Sequence, residues 1–215
     1  MVFLADYYWA TRKLPELNWS RVTEDDGSGC GAGESNVLTL PTGPTERIEG
    51  GTMFFLNAIS RARRRLWIAS PYFVTDESVR ASLMMAALRG VDVRILIPDK
   101  PDKYIPWLAT FSYLLDMEAA GVRLFRYEPG FQHQKVILVD EDFATVGTAN
   151  LDNRSMRLNF EVGVVVLCKG FAANVASMLE VDFARSREID STDYTDRPWW
   201  FRLAVRVSRL ASPLL

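Results

Sequence analysis

The chain has 215 residues and an almost balanced charge, with 25 lysines and arginines against 27 aspartates and glutamates and a net charge of −2. Apolar residues make up 48% and charged residues 24%, which excludes a disordered or fibrous protein for most of the length. The length favours one domain or one and a half. The charge balance argues against a broad basic face for a polyanion, so we expect no nucleic-acid partner.

No apolar run in the sequence is long enough to cross a bilayer. The longest runs from 162 to 168, whereas a spanning helix needs about 20 residues. The first residues include Asp6 and have no basic region ahead of an apolar stretch, so we expect no signal peptide. The chain is therefore expected on the cytoplasmic side, with no transmembrane helix.

The chain begins with a predicted helix and a predicted linker. Helical spacing of apolar residues predicts a helix over 1–14, and this opening resembles the end of something larger. Residues 24–35 hold four of the 13 glycines and predict a flexible linker. Together with a short strand at 37–40, that linker occupies 21–45.

Residues 46–190 have the pattern of an α/β domain. Apolar runs predict strands at 66–69, 91–97, 122–127, 135–139, 143–147 and 162–167. Helical signals lie between or after them, at 44–63, 76–88, 105–120 and 172–187. Helices that alternate with short apolar strands indicate α/β layers over one sheet.

The tail, 191–215, has the pattern of an amphipathic helix. At about 100° per residue, Arg202, Arg206 and Arg209 fall within about 60° of one another. Apolar residues occupy an adjacent face: Trp199, Leu203, Val207, Leu210 and Leu214. The pattern favours a helix in a membrane interface, with the arginines toward anionic lipid, over one that docks its apolar face on the domain.

The one histidine of the chain, His133, stands two residues before Lys135 at the start of a predicted strand. Side chains two apart on a strand point to the same face. An imidazole beside an ammonium group suits attack on a phosphodiester, because histidine forms a covalent phospho-intermediate and lysine stabilises the developing negative charge.

Three further residues are candidates for the same site. Glu161, which leads into the strand at 162–167, is predicted to accept the Nδ1 proton of His133 and leave Nε2 free to attack. Thr148 and Asn150 share a face and are predicted to hydrogen-bond phosphoryl oxygens. Asp140 lies about 23 Å along an extended strand from His133, which argues against a place in a catalytic triad.

The pattern His-x-Lys-x4-Asp, followed by Gly-Thr-x-Asn at 147–150, resembles the HKD signature of the phospholipase D superfamily. The stretches 150–161, 70–76 and 87–96 look more closely like bacterial cardiolipin synthase, and the resemblance covers about 41–215. It implies a phospholipase D-like α/β fold and a phosphatidyltransferase of phospholipid biosynthesis. That enzyme forms cardiolipin and glycerol from two phosphatidylglycerol molecules through a phosphohistidine.

The resemblance also implies roles for residues. His133, Lys135, Asn150 and Glu161 match the catalytic and phosphate-binding positions, while Asp140 and Gly147 match the motif in structural positions. Thr148 is a phosphate-binding candidate. No metal ion or other cofactor is implied.

Arg154 and Arg157 are further candidates. Their guanidinium groups suit a second lipid phosphate, and a solvated or salt-bridged loop is the equally weighted alternative.

Enzymes of this family pair two similar halves, each with one HKD motif, and this chain has one. It therefore resembles the C-terminal half, with 1–20 as the closing helix of a missing upstream half. A second half is expected from homodimerisation or from a separate upstream chain, at the cytoplasmic face of the membrane. Two alternatives stay open: a homodimeric phosphodiesterase or nuclease of the same superfamily, and an inactive truncated half.

Overall fold

A computed structural model describes residues 2–16, 36–45 and 48–215. Nine helices lie in these ranges: α1 (Val2–Thr11), α2 (Gly50–Arg61), α3 (Glu77–Leu88), α4 (Tyr104–Phe111), α5 (Leu114–Ala119), α6 (Asn153–Arg157), α7 (Lys169–Ala184), α8 (Thr192–Thr195) and α9 (Trp199–Leu210). A 3-10 turn follows at Ser212–Leu214. The predicted linker at 24–35 lies outside the described residues.

Ten strands lie in the same ranges: β1 (Asn36–Thr42), β2 (Arg65–Ala69), β3 (Phe73–Val74), β4 (Asp92–Pro98), β5 (Arg123–Tyr127), β6 (Val136–Val139), β7 (Phe143–Gly147), β8 (Leu151–Asp152), β9 (Glu161–Leu167) and β10 (Ser186–Ile189). Eight form one sheet in the order β1-β9-β7-β6-β2-β4-β5-β10. In this sheet β4 runs parallel to both β2 and β5. All other adjacent strands of the sheet are antiparallel. The predicted α/β fold with one central sheet is confirmed.

Two apolar layers hold the sheet. On one face, Ile68, Ile95 and Ile137 pack with residues of α2, α3, α4 and α9. On the other face, α7 covers Leu138 and its neighbours through Ala172, Val175, Ala176, Leu179 and Phe183. Strand β6 has all four residues buried because it lies in the middle of the sheet between both layers. The strand that carries the HKD motif is therefore rigidly placed.

Local sequence signals explain several boundaries. Asp76 caps α3 as predicted, since its side chain accepts a hydrogen bond from the Val79 amide, and α3 ends before Gly90, whose φ is +88°. The helix predicted over 105–120 is interrupted at Ser112 and Tyr113, so it forms α4 and α5. The helix predicted to reach Arg187 ends at Ala184, because the next residues pair with β5 as the edge strand β10.

The sequence also missed the smallest elements. Strands β3 and β8 have two residues each and form a separate parallel pair, while α6 has five residues. Such short elements leave no periodic pattern to detect. In the described part of the chain, no helix is both long enough and apolar enough to cross a membrane.

Candidate functional site

His133 and Lys135 meet at the amino end of β6. Both precede the strand, which begins at Val136 rather than at Lys135 as predicted. The Lys135 Nζ lies 3.0 Å from His133 Nδ1 and 3.3 Å from Nε2, and it donates a 2.8 Å hydrogen bond to the His133 carbonyl. Phe131 stacks obliquely on the imidazole, with ring centroids 5.3 Å apart. The predicted pairing of imidazole and ammonium is thus present on an exposed edge.

Lys135 reaches into the protein while His133 stays exposed. Burial lowers the pKa of Lys135, and the nearby carboxylates of Glu161, Asp102 and Asp152 act in the opposite direction. The lysine lines a small cavity of about 40 Å³ together with Glu161 and apolar side chains of α2 and β1. An ammonium group placed there is partly desolvated and keeps its electrostatic effect on a bound anion.

The Glu161 carboxylate forms no hydrogen bond or ion pair with His133 among the described residues. Its carboxylate accepts a 3.0 Å hydrogen bond from Asn159 Nδ2 and a very short one from the Thr148 hydroxyl. The Thr148 oxygen also accepts from the Val162 amide at 2.9 Å. Among the described residues, the predicted hydrogen bond between Glu161 and the imidazole is therefore absent. The two residues lie on adjoining parts of the site, and Thr148 is held by Glu161.

Gly147 ends β7 where that strand passes very close to β9. A Cβ at this position would lie 2.6 Å from the Val162 carbonyl oxygen and 2.9 Å from Gly163 Cα. Both atoms belong to the backbone, so no side-chain movement relieves the contact. The glycine of the motif lets the two strands approach and places Thr148 beside Glu161.

Asn150 and Asp152 line a groove near Lys135, on whose pKa the Asp152 carboxylate acts. The Asn150 Oδ1 atom is buried and has no hydrogen-bond partner in the described structure, so an acceptor is left for a donor group. Burial raises the pKa of Asp152, whose carboxylate also caps α6 by accepting from the Ser155 amide at 2.7 Å. Asp152 was not predicted from the sequence, although it stands two residues after Asn150.

The two arginines separate in the structure. Arg157 is held by two carboxylates, with 2.9 Å contacts to Asp76 and to Glu49. This arrangement matches the salt-bridged alternative. Arg154 instead donates to Asn159 Oδ1 at 3.2 Å and is exposed. A phosphate-binding role for both residues therefore stays a prediction, and Arg154 has the freer guanidinium group.

A groove of about 550 Å³ opens beside Asn150 and Asp152. Its other lining residues are Tyr72, Lys103, Tyr104, Ile105, Pro106, Arg154, Asn159 and Leu215. Tyr72 donates a hydrogen bond to Asp102 at 2.5 Å, and burial together with that carboxylate raises the tyrosine pKa. Apart from Tyr72, this wall comes from a loop and the start of α4, which carry no periodic sequence signal.

Asp140 lies at the opposite end of β6. Its carboxylate accepts hydrogen bonds of 2.8 to 3.2 Å from the backbone amides of Arg63, Arg64 and Arg65. Its φ is +51°, in the left-handed region that aspartate tolerates better than most residues. The contacts join the loop after α2 to the end of β6. In the described part of the chain, no group of three or more His, Cys, Asp or Glu side chains is placed to hold a metal ion.

Comparison with curated proteins gives a consistent result. The chain is 48% identical to cardiolipin synthase A of Pseudomonas putida over 213 residues, which is 99% of this chain and 43% of that protein. It is also 48% identical to cardiolipin synthase A of Pseudomonas aeruginosa, covering 99% of this chain and 42% of that protein. The chain thus spans less than half the length of these relatives.

Solved structures share the fold at low sequence identity. A phosphatidylserine synthase of Haemophilus influenzae matches with a TM-score of 0.68 and 16% identity, over 84% of this chain and 48% of that one. The phospholipase D family member Nuc of Salmonella typhimurium matches with a TM-score of 0.62 and 22% identity, over 74% of this chain and 100% of that one. Residues 55–185 match the family described as "Cardiolipin synthase, PLD-like domain". This match shows that the chain belongs to the family of cardiolipin synthase PLD-like domains, with His133 and Lys135 at the amino end of β6 and Asp140 at its carboxyl end.

Proposed function

We propose that this chain supplies one of the two HKD motifs of a phosphatidyltransferase that makes cardiolipin from phosphatidylglycerol. The observation that carries the proposal is the Lys135 ammonium 3.0 Å from the exposed His133 imidazole at the amino end of β6. The 48% identity to cardiolipin synthase A supports the choice of a lipid substrate. The glycerophosphate diester would lie with its phosphorus toward the exposed imidazole.

The chemistry needs two imidazoles. One His133 ring nitrogen attacks phosphorus, and the bond from phosphorus to the headgroup glycerol breaks. Glycerol leaves with a proton from the histidine of the second motif, which then removes a proton from the free headgroup hydroxyl of another phosphatidylglycerol. That oxygen attacks the phosphohistidine, forms cardiolipin and frees the first histidine. The two histidines can also exchange these roles, so that His133 acts as the acid and the histidine of the second motif attacks phosphorus.

The other residues have supporting roles in this proposal. Lys135 stabilises charge on the phosphoryl oxygens during both steps. Asn150 directs its amide donor, which in this structure acts on the Asp152 carboxylate, to the same oxygens when substrate is bound. Glu161 orients His133 when the site is completed, which requires it to exchange its contact with Thr148 for one with the imidazole. Gly147 and Asp140 hold the two ends of the motif in place.

The second motif comes from another copy of this chain or from a separate upstream half. Three exposed valines support a docking surface for it: Val37 of β1, Val146 of β7 and Val164 of β9. Strand register places them on the sheet face that α7 covers elsewhere. This valine face adjoins Gly147, so a second half packed there would bring its own motif close to His133. The assembly is proposed to lie at the cytoplasmic face of the membrane.

The test is lipid product formation by the purified chain on phosphatidylglycerol micelles at rising protein concentration, beside His133→Ala. A homodimer with two essential histidines gives a steep concentration dependence. In mixtures at constant total protein, activity then falls as the square of the wild-type fraction, to about a quarter at equal amounts. Activity that falls in simple proportion contradicts the shared site.

Two other results decide between the alternatives. DNA cleavage by a dimer, with no lipid product, supports the nuclease interpretation, against which the net charge of −2 argues. If no product forms at any concentration, the same assay is repeated with a separate upstream half added. If no turnover appears there either, the chain is an inactive half.

A further inference from the structure

Helix α9 is apolar on two opposite faces. Its inner face docks on the domain through Phe201 and Val205, which are buried. The Phe201 ring meets Phe111 edge-on at 5.1 Å and Trp107 at 6.1 Å, both on α4. These contacts fix the helix on α4 and leave its other side facing outward. The helix thus docks through Phe201 and Val205, a face that was not predicted, and the predicted apolar face of Trp199, Leu203, Val207 and Leu210 stays exposed.

The outer face carries large apolar side chains that nothing covers in the described structure. Trp199 is 70% exposed, Leu203 52% and Leu210 81%, and the neighbouring Trp200 and Val207 are exposed as well. At about 100° per residue, Trp199 and Leu210 lie on the side opposite Phe201. We call the set Trp199, Trp200, Leu203, Val207 and Leu210 the outer face of α9. A contiguous apolar stripe on one helix marks an interaction surface.

A row of arginines borders this stripe. Arg202, Arg206 and Arg209 lie side by side on the helix, and all three are exposed. None of them forms an ion pair with another described residue, and α9 contains no acidic residue. Arg209 lies over the Tyr113 ring at 5.4 Å, and its charge contributes to lowering the pKa of Glu77, so Arg202 and Arg206 are the two freer cations. Two such cations along an apolar stripe complement an anionic, water-facing surface whose interior is apolar, and a phospholipid bilayer is such a surface.

The groove beside the candidate site borders the same region. The exposed Tyr104 and Ile105 open α4, the helix on which α9 docks, and they line the groove. Leu215, after the 3-10 turn that follows α9, lines the same groove, together with Asn150 and Asp152. A surface seated against α9 therefore lies next to the entrance that leads to the site.

We propose that the outer face of α9 seats this chain on an anionic bilayer and so delivers phospholipid headgroups directly to the groove. The inference rests on the proposed function, because it names the surface from which the lipid substrate arrives. The tryptophans and leucines enter the boundary between headgroups and acyl chains, and the arginines contact lipid phosphates. The substrate then moves sideways into the groove without leaving the membrane.

The experiment measures binding of the full chain to vesicles of phosphatidylcholine with and without phosphatidylglycerol. The Arg202→Gln/Arg206→Gln variant is expected to bind the anionic vesicles about 25-fold more weakly, since each arginine near the surface contributes about fivefold. The Leu203→Glu/Leu210→Glu variant is expected to lose at least tenfold on both vesicle types. Both pairs are exposed, so folding is expected to be retained and is checked by thermal unfolding.

Two matched controls stand elsewhere on the surface. Leu88→Glu on α3 changes a leucine that is 71% exposed, and Arg63→Gln removes an exposed arginine before β2. Both are expected to bind vesicles as the unaltered chain does. The proposal is overturned if the unaltered chain does not bind anionic vesicles. It is also overturned if the α9 variants bind as tightly as the controls, or if they lose self-association in place of vesicle binding.

Failure of the membrane surface and failure of the proposed function are distinguishable. Vesicle binding is measured with His133→Ala as well, and that variant is expected to bind normally because His133 lies outside α9. Turnover is measured on phosphatidylglycerol dispersed in detergent, where α9 is not required. Normal binding without turnover would count against the catalytic proposal alone, and turnover in detergent without vesicle binding would count against the α9 proposal alone.

Discussion

The two ends of strand β6 use the same motif for different purposes. At the amino end, His133 is exposed and its imidazole contacts one ammonium group. At the carboxyl end, the Asp140 carboxylate is enclosed by three backbone amides. The histidine end keeps groups available for a ligand, whereas the aspartate end has used its hydrogen-bonding capacity within the fold.

Within the one HKD motif, His133 is thus available for catalysis, whereas Asp140 stabilises the fold. A group that acts on substrate needs a free position, while a group that positions the strand needs saturated contacts. The buried β6 connects the two ends, so the loop held by Asp140 supports the strand that presents Lys135. Substitutions at the two ends are therefore expected to change different quantities.

The largest expected effect is on turnover at the histidine end. Replacing His133 by glutamine removes the nucleophile or acid, and activity of the complete two-motif assembly is expected to fall by about 10⁴-fold or more. The free energy of unfolding is expected to change little, because the side chain is exposed. The measurement pairs lipid product formation with urea unfolding. A large loss of stability with a modest loss of turnover would show that His133 has a structural role and not a catalytic one.

The next effect is on stability at the aspartate end. Asp140→Ala removes the acceptor of three backbone amides and places alanine at a φ of +51°, so we expect a loss of about 2 kcal/mol in the free energy of unfolding. Asp140→Asn keeps one oxygen acceptor and tolerates this backbone, and about half of that loss is expected. Urea unfolding gives both values. Turnover per folded molecule should match the unaltered chain, and a selective loss of turnover would place Asp140 in the chemistry.

The same contrast explains what was predictable. Strand β6 is readable because a continuous apolar run follows from burial on both faces, and β9 is readable from a similar apolar run although one of its faces stays partly exposed. The spacing of His133 and Lys135 likewise follows from chain geometry. The Glu161 contact was not predictable in this way, because Thr148 and Asn159 compete for the carboxylate and only the fold brings them together. Arg157 was similarly decided by Asp76 and Glu49, which lie far away in sequence.

Lys135 gives a pH test of the histidine end. Burial lowers its pKa below the ordinary value of 10.5, so the ammonium charge is lost at a lower pH than for an exposed lysine. Catalysis that needs this charge is expected to decline on the alkaline side before that value. Lys135→Arg keeps a positive charge throughout the range, and its remaining activity should lack the decline. A profile of kcat/KM against pH for both proteins checks this, and an unchanged alkaline limb in the variant would assign it to another group.

Asp152 provides the smallest effect and the sharpest contrast with Asp140. Burial raises its pKa above 3.8, so the folded state holds this proton more strongly than the unfolded chain does. Its favourable contribution is complete below the unfolded pKa and is lost as pH rises through the folded value. Asp152→Asn does not titrate and still caps α6, so its stability relative to the unaltered chain should increase from acid to neutral pH. Urea unfolding at acid and at neutral pH measures the difference in unfolding free energy between the variant and the unaltered chain. A difference that does not change with pH would mean that neighbouring groups compensate the Asp152 charge, as the three backbone amides do for Asp140.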